Sequence, residues 1–562
     1  MWSWRFPDGT VVDEQHPEWV FSMAGEYEVE LTVSNDAGSD TVVKTIVVEA
    51  TENICGDGFC GPGENTWTCR ADCGPSEDGE SGRTGRKHTN LMVPAAAGSV
   101  AGAADSNWFT EGMLFNPNLQ DAEVVLEFRP DGGTPSGAPL VAGPIELPAR
   151  TGLRFDDLLG EAFGTDGVGA VALDATLPII IDTRTFNQTE VGTLGQSVGA
   201  ITMDDTVGAG EGEVYLVGLS QNQRFRTNLI FQETTGRNAR ARVELYDASG
   251  ELLGTNTVDV AGHGRWQKPI TRIADRELDH GSAKVVVEGD GRLAIMASVI
   301  DQATNDATSI DAVHPKQVTN AATGAKAEGA EDPHFLVAVV ARTPGAQSTL
   351  WRSEVSILNP TKNREDLVLE YYQDGGTLQT ASVTVKPGAT FFTTDVVGDL
   401  FPDATNGAGS FHVYSEDAVI VNSRTYNISD VEETVGQSIP GLGSGDMARP
   451  GETWLLNNLK DNQEFRCNMG FAEFAGTDSQ VTVVLFDNNS MALRYLATKT
   501  YTVEAFGSTQ INRIFKDMGL TGNYSAVVAY IAVGEDSGAV YSYASVVDNG
   551  EGDATTILAK RQ

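Results

Sequence analysis

No run of eighteen apolar residues occurs in the 562-residue chain, so no transmembrane helix is expected and insertion into a membrane is not. The first ten residues, MWSWRFPDGT, lack the basic start and apolar stretch of a secretory leader. Basic residues are scarce: 38 Lys and Arg stand against 78 Asp and Glu, a formal charge of −40. Phosphate backbones are bound by clustered cations, so nucleic acid is ruled out as a partner on electrostatic grounds. Catalytic signatures are missing too. There is no G-x-S-x-G, no H-E-x-x-H and no phosphate-binding glycine loop between a strand and a helix. The seven histidines (16, 88, 263, 280, 314, 334 and 412) are scattered along the chain. Acidic pairs are too common here to mark a glycosidase. With no nucleophile, acid or base assembled in the sequence, the chain is not expected to be an enzyme.

Cysteine is rare: five residues, four of them crowded between Cys55 and Cys73. The spacing of Cys55, Cys60, Cys69 and Cys73 is C-x4-C-x8-C-x3-C, which is not the CxxC pairing of zinc ribbons. Two disulfides are therefore expected, and four cysteines allow three pairings. The segment resembles the small "CGDGxC…E…C…DC" modules of secreted bacterial proteins. It is too short for a hydrophobic core, so cross-links would have to hold it together. Asp57, Glu64 and Asp72 are candidate calcium ligands, with a solvated acidic loop as the alternative. Cys467 stands alone and is expected to be a buried free thiol in a strand.

What is abundant is glycine, with 61 residues, set among alternating Val, Thr and Ile. That mixture favours many short strands joined by turns. Near the start, "YEVELTVS" alternates apolar and polar residues, "NDAG" turns the chain and "TVVKTIVV" returns. With Trp4, Phe6, Asp8-Gly9, His16-Pro17 and Gly25-Glu26-Tyr27, this stretch resembles the C-terminal half of a PKD domain, an immunoglobulin-like β-sandwich of secreted and surface proteins. Pro7 stands where that family has a glycine. The match begins in mid-domain. A sandwich left open there would expose strand edges, so the stretch is read as part of a longer protein or as completed by a strand from another subunit.

The rest of the chain is a duplication. "DTRTFNQTEVGTLGQS" recurs as "NSRTYNISDVEETVGQS", which pairs Arg184 with Arg424, Asn187 with Asn427 and Gln196 with Gln437. "NWFTEGMLFNP" recurs as "LWRSEVSILNP", pairing Trp108 with Trp351. Between these, "QNQRFRTNLIF" recurs as "DNQEFRCNMGF", and "ASVIDQATNDATSI" as "ASVVDNGEGDATTI". The order is thus A–B–A′–B′. About seven strands in each unit suit an immunoglobulin-like sandwich, with "DLLGEAF" and its echoes as single helical turns. The repeats resemble tandem β-sandwiches of large bacterial secreted and cell-surface proteins.

The expected fold class is all-β. It comprises a partial PKD-like sandwich at 1–50, a disulfide module at 51–75 and a linker at 76–89. Sandwiches follow at 90–205 (A) and 210–318 (B), then a linker at 319–332 and sandwiches at 333–445 (A′) and 450–562 (B′), in a rod. Arg184, Asn187, Gln196, Arg424, Asn427 and Gln437 are expected to be repeat hallmarks or ligand-binding residues. Trp108 and Trp351 are candidate sugar platforms, although their fixed place in the repeat points to core packing. Asp301, Asp306, Asp548 and Asp553 are candidate calcium ligands in loops, or turn caps. The expected role is non-catalytic and extracellular: adhesion, display or structural assembly through a glycan, a protein partner or self-association. A carbohydrate-binding accessory of a larger secreted enzyme and a filament or surface-layer subunit are the alternatives.

Overall fold

The computed structural model of the chain describes residues 2–6, 10–15, 17, 25–35, 38–48, 89–102, 106–132, 138–314, 334–345, 350–374, 378–404, 406–430, 433–488 and 492–562. The four clustered cysteines, with Asp57, Glu64 and Asp72, lie outside them. Two compact units result, Met1–Thr84 and Gly85–Gln562.

The first unit contains one antiparallel sheet in the order Val11–Val12, Trp2–Arg5, Gly25–Asn35, Gly38–Val48. Its two long strands stay in register from Gly25 opposite Val48 to Asn35 opposite Gly38. Phe6 and Val29 are buried.

The second unit is all-β and built from the repeated modules. In A, one sheet runs Gly152–Phe155, Asn107–Phe115, Ile180–Gln188, Thr193–Gly199, and the other is built on Thr89–Gly98, Gly167–Ala175, Ala122–Pro130 and Leu140–Leu147. Alternation explains the burial. In AEVVLEFRP, residues 122, 124, 126 and 128 are sealed from solvent while their neighbours face outward. The helical turns fall where the sequence places them, at Leu158–Phe163 and Val396–Leu400, each N-capped by an aspartate, Asp157 or Asp395. In A′ the strand His334–Pro344 pairs with both Gly407–Tyr414 and Leu350–Leu358, so the two sheets of that module join into one of eight strands.

The repeated Asn-Pro has a local cause. Asn116 is fully buried and its Nδ2 donates to the carbonyls of Gln120 and Leu147 at 2.8 and 2.9 Å. Asn359 does the same to Asn363 and Val385 at 2.7 and 3.0 Å. Each asparagine supplies donors to a loop that would otherwise bury free carbonyls. The B modules share a bulge in their first strand. Gly218 there has φ +89° and Asn458 +62°, and both residue types tolerate the left-handed region.

The modules do not form a rod. A touches B′ and B touches A′, so the four close into a ring whose hub is made by Thr193–Gly199, Ala307–Asp311, Glu433–Pro440 and Ala554–Leu558. These strands surround a cavity of about 170 Å³. A rod needs modules that meet only their chain neighbours. Here side chains of A also grip a module almost four hundred residues away.

Candidate functional site

The hallmark arginines build the ring closure. The Arg184 Nε donates to Thr555 Oγ1 at 2.7 Å, Nη1 to Thr193 Oγ1 at 2.8 Å and Nη2 to Asp553 Oδ2 at 3.1 Å. Asp553 also accepts from the Gly195 amide at 2.9 Å, and Asp548 accepts from the amide and hydroxyl of Thr193 at 2.9 and 2.8 Å. The Arg184 guanidinium lies over Phe186 and Phe465.

The second copy repeats the arrangement. Arg424 donates to Thr308 at 2.9 Å and to Asp306 at 3.3 Å, Gly436 donates to Asp306 at 2.8 Å, and Thr434 donates to Asp301. The four aspartates read as calcium candidates therefore hold protein donors of another module. Among the described residues no group of three His, Cys, Asp or Glu side chains is placed to hold a metal ion. Burial pushes Asp306 and Asp553 above the usual carboxylate range against the pull of their arginines, and the charge of Asp553 raises Asp306 further. Gln196 and Gln437 bind the other neighbour: each Oε1 accepts a serine hydroxyl, from Ser298 or Ser545, at 3.0 Å. Asn187 accepts from the Asn107 amide at 2.8 Å, and Asn427 lies opposite Trp351 in the sheet. Cys467 is fully buried as a free thiol, and burial raises its pKa.

The A–B′ contact is reinforced. Met113, Phe115 and Ile180 pack on Leu455, Val528 and Tyr530. The buried Lys460 Nζ donates to Glu111 at 2.5 Å, and Lys560 donates to Asp182 at 2.6 Å. Burial alone would raise Glu111, but the charges of Lys460, Arg184 and Arg154 hold it below its ordinary value. At the A′–B contact the equivalents of Lys460 and Lys560 are Ser220 and Val313, and its apolar cluster is smaller.

Two grooves lie where A meets B and where A′ meets B′. The second is larger, about 810 Å³ against about 290 Å³. Its B′ wall follows from strand alternation. Along Phe465–Glu473, Phe465, Cys467, Met469 and Phe471 enter the B′ core, which turns Arg466 and Asn468 toward A′. Ser545 and Val547 stand opposite them on the next strand, with Gln510, Asn512 and Arg513 beside them. The A′ wall carries Trp351, Thr343, Thr425 and Gln437. Trp351 and its twin Trp108 are half-buried at groove rims, which corrects the core-packing expectation: each sits at the end of its strand, beyond the sealed positions.

Residues missed in the sequence reading are Arg466 and Arg513. The signal for the first was present, since "FRTN" recurs as "FRCN". Arg513 lies in INRI, which recurs in B as ITRI, but its match there, Arg272, does not line the A–B groove. Histidines 334 and 412, scattered in sequence, meet at 2.7 Å on adjacent strands among Tyr372, Tyr414, Phe474 and Phe506. No helix among the described residues is long and apolar enough to cross a membrane.

Comparison with known proteins gives one family match: the PKD domain family model matches residues 1–50. No curated protein matches the chain in sequence. Similar solved structures include a tetra-tandem repeat in the extending region of a large adhesion protein. It is 16% identical, covers 79% of this chain and 92% of that one, and has a TM-score of 0.10. Another is the BSP domain of a biofilm associated protein, 10% identical, covering 86% and 98%, with a TM-score of 0.14.

Proposed function

We propose that the chain acts by binding, as the non-catalytic part of an extracellular, adhesion-type protein, and that glycans are its ligand class. The observation that carries this reading is the A′–B′ groove. It combines one half-exposed indole with the amides of Asn468, Gln510, Asn512 and Asn549. Indole faces suit the apolar faces of sugars, and primary amides both donate to and accept from hydroxyls. The groove's volume falls within the roughly 300–1,000 Å³ usual for small-ligand sites. The ring keeps both walls rigid, because each A module is pinned to both neighbours. The PKD match at 1–50 and the acidic surface fit an extracellular setting.

The test is a glycan array probed with the intact chain and with Trp351→Ala, followed by analysis of bound glycans for cleavage. Binding of intact glycans that is lost in the variant supports the proposal. An array with no binding, or released cleavage products, overturns it.

A further inference from the structure

The A′–B′ groove differs from the rest of the molecule in its charge. Most arginines at the other module contacts have carboxylate partners: Arg184 with Asp553, Arg424 with Asp306, Arg154 with Glu111 and Asp156, Arg265 with Asp131; Arg150 instead donates to the Tyr530 hydroxyl and Arg226 to the Asn305 amide oxygen, each as a single cation. Arg466 and Arg513 have none among the described residues. Arg466 donates only to the Asn549 amide oxygen, at 2.9 Å. The exposed Arg513 is fixed by its backbone: its amide donates to Asn468 Oδ1 at 3.0 Å while its φ is +56°, an uncommon conformation for a long side chain. Burial lowers the pKa of Arg466, and the charge of Arg513 lowers it further. Asp461 and Asp548 are the acids whose charges act on them, and Asp374 lines the same groove, where it accepts from the Ser508 hydroxyl. Asp548 is occupied by Thr193 and by the amides of Gly550 and Glu551, and none of these acids forms an ion pair with these two arginines. Two neighbouring cations left unpaired, in a chain with about twice as many acids as bases, describe a place prepared for an anion.

We infer that the groove takes the acidic residue of an oligosaccharide, its carboxylate or sulfate held by Arg466 and Arg513 while a sugar ring lies on Trp351. The proposal deepens the binding reading above and rests on it. Guanidinium forks match both oxyanions in geometry, and the hydrogen bonds are charge-assisted. A benzene-sized ring fits in a cavity of ~150 Å³, so 810 Å³ takes a short chain of sugars. The A–B groove keeps Arg226 and Asn228 but not a second free arginine: Arg272, the match of Arg513, does not line it, and Arg265 crosses it to reach Asp131 at 2.8 Å. One acidic-sugar site per chain is the result.

The experiment is calorimetric titration of the full chain with three oligosaccharides of equal length, one uronate-bearing, one sulfated and one neutral, and with inorganic sulfate alone. The expected result is one site per chain and at least about tenfold tighter binding of one or both acidic sugars than of the neutral one, weakening with salt. Arg513→Gln and, independently, Arg466→Gln remove that preference but leave neutral-sugar binding, and urea unfolding curves confirm that both variants fold. Arg226→Gln in the sibling groove leaves it unchanged. Neutral sugar bound as tightly, with no response to either arginine variant, overturns the anion inference and leaves the binding reading standing. Inorganic sulfate bound as tightly as the sulfated sugar overturns the sugar part. No binding of any sugar overturns both.

Discussion

The two halves of the duplication agree at the hub and disagree at the grooves. Arg184 and Arg424 keep the same partners, down to the threonine, the glycine amide and the paired aspartates. In the grooves, Ile230 and Met296 of B enter the core of A, whereas B′ has Gly470 and Tyr543. A Cβ on Gly470 would lie 2.2 Å from the Tyr543 ring, so the small residue makes room for the large one. Arg265, which spans the A–B groove, is replaced by Ser508. The difference teaches where each half is constrained. Closing the ring requires the same lock twice, whereas the exposed ends of the grooves were free to diverge.

The largest effect should come from breaking the part that agrees. Arg184→Gln leaves Asp553 buried without its cation, and a stranded charge of this kind costs about 3–5 kcal/mol. Arg424→Gln should cost the same within about 1 kcal/mol if the locks are equivalent. Urea unfolding of both variants checks this, and a much smaller loss for one of them would show that the resemblance is only geometric.

The ring itself was not legible in the sequence. The duplication and its hallmark residues were, because matched residues recur at nearly constant offsets. The partners of those hallmarks were not. Arg184 and Asp553 are 369 residues apart, and a repeat aligned with itself does not say which copy meets which. The strand alternation that buries Cys467 also turns Asn468 outward, so the groove wall was readable once its partner was known. Arg513 was not readable as a groove residue, since its match in the repeat, Arg272, takes no part in the A–B groove.

A second prediction sharpens the disagreement. His334 and His412 exist only in the A′–B′ half, and the A–B half has Asn90 and Ala172 at those places. Burial lowers the two pKa values to about 3 and about 4. Desolvation is the main cause for both, and the Phe506 carbonyl that accepts from His412 only partly offsets it. Unfolded imidazoles take up protons near pH 6.5 and the folded pair does not, so acidification from pH 6.5 toward about 4 favours unfolding. Installing the sibling residues, His334→Asn with His412→Ala, should remove that loss. Relative to the native chain, the variant should gain roughly 2–3 kcal/mol on going from pH 7 to pH 5.5, whatever constant cost the substitutions carry. Unfolding curves at several pH values measure it, and a pH-independent difference would show that the pair does not titrate in this window.

The smallest effect should come from making the grooves alike. Ser508→Arg places the residue of the A–B groove beside Asp374, which now accepts only the Ser508 hydroxyl at 2.8 Å. The new ion pair at the surface should change stability by less than about 1 kcal/mol. It should also narrow the open groove and weaken glycan binding severalfold in the array. Unchanged binding would place the ligand away from that end.

The noncovalent closure between A and B′ has a mechanical consequence. A pull applied through Thr89 and Gln562 does not first stretch a sandwich, because the first and last modules of the ring hold each other directly. It loads the Arg184 and Lys460 contacts, which no linker backs up. Once they part, the modules can line up along the force, so the closure acts as a fuse that lengthens the molecule before any core unravels.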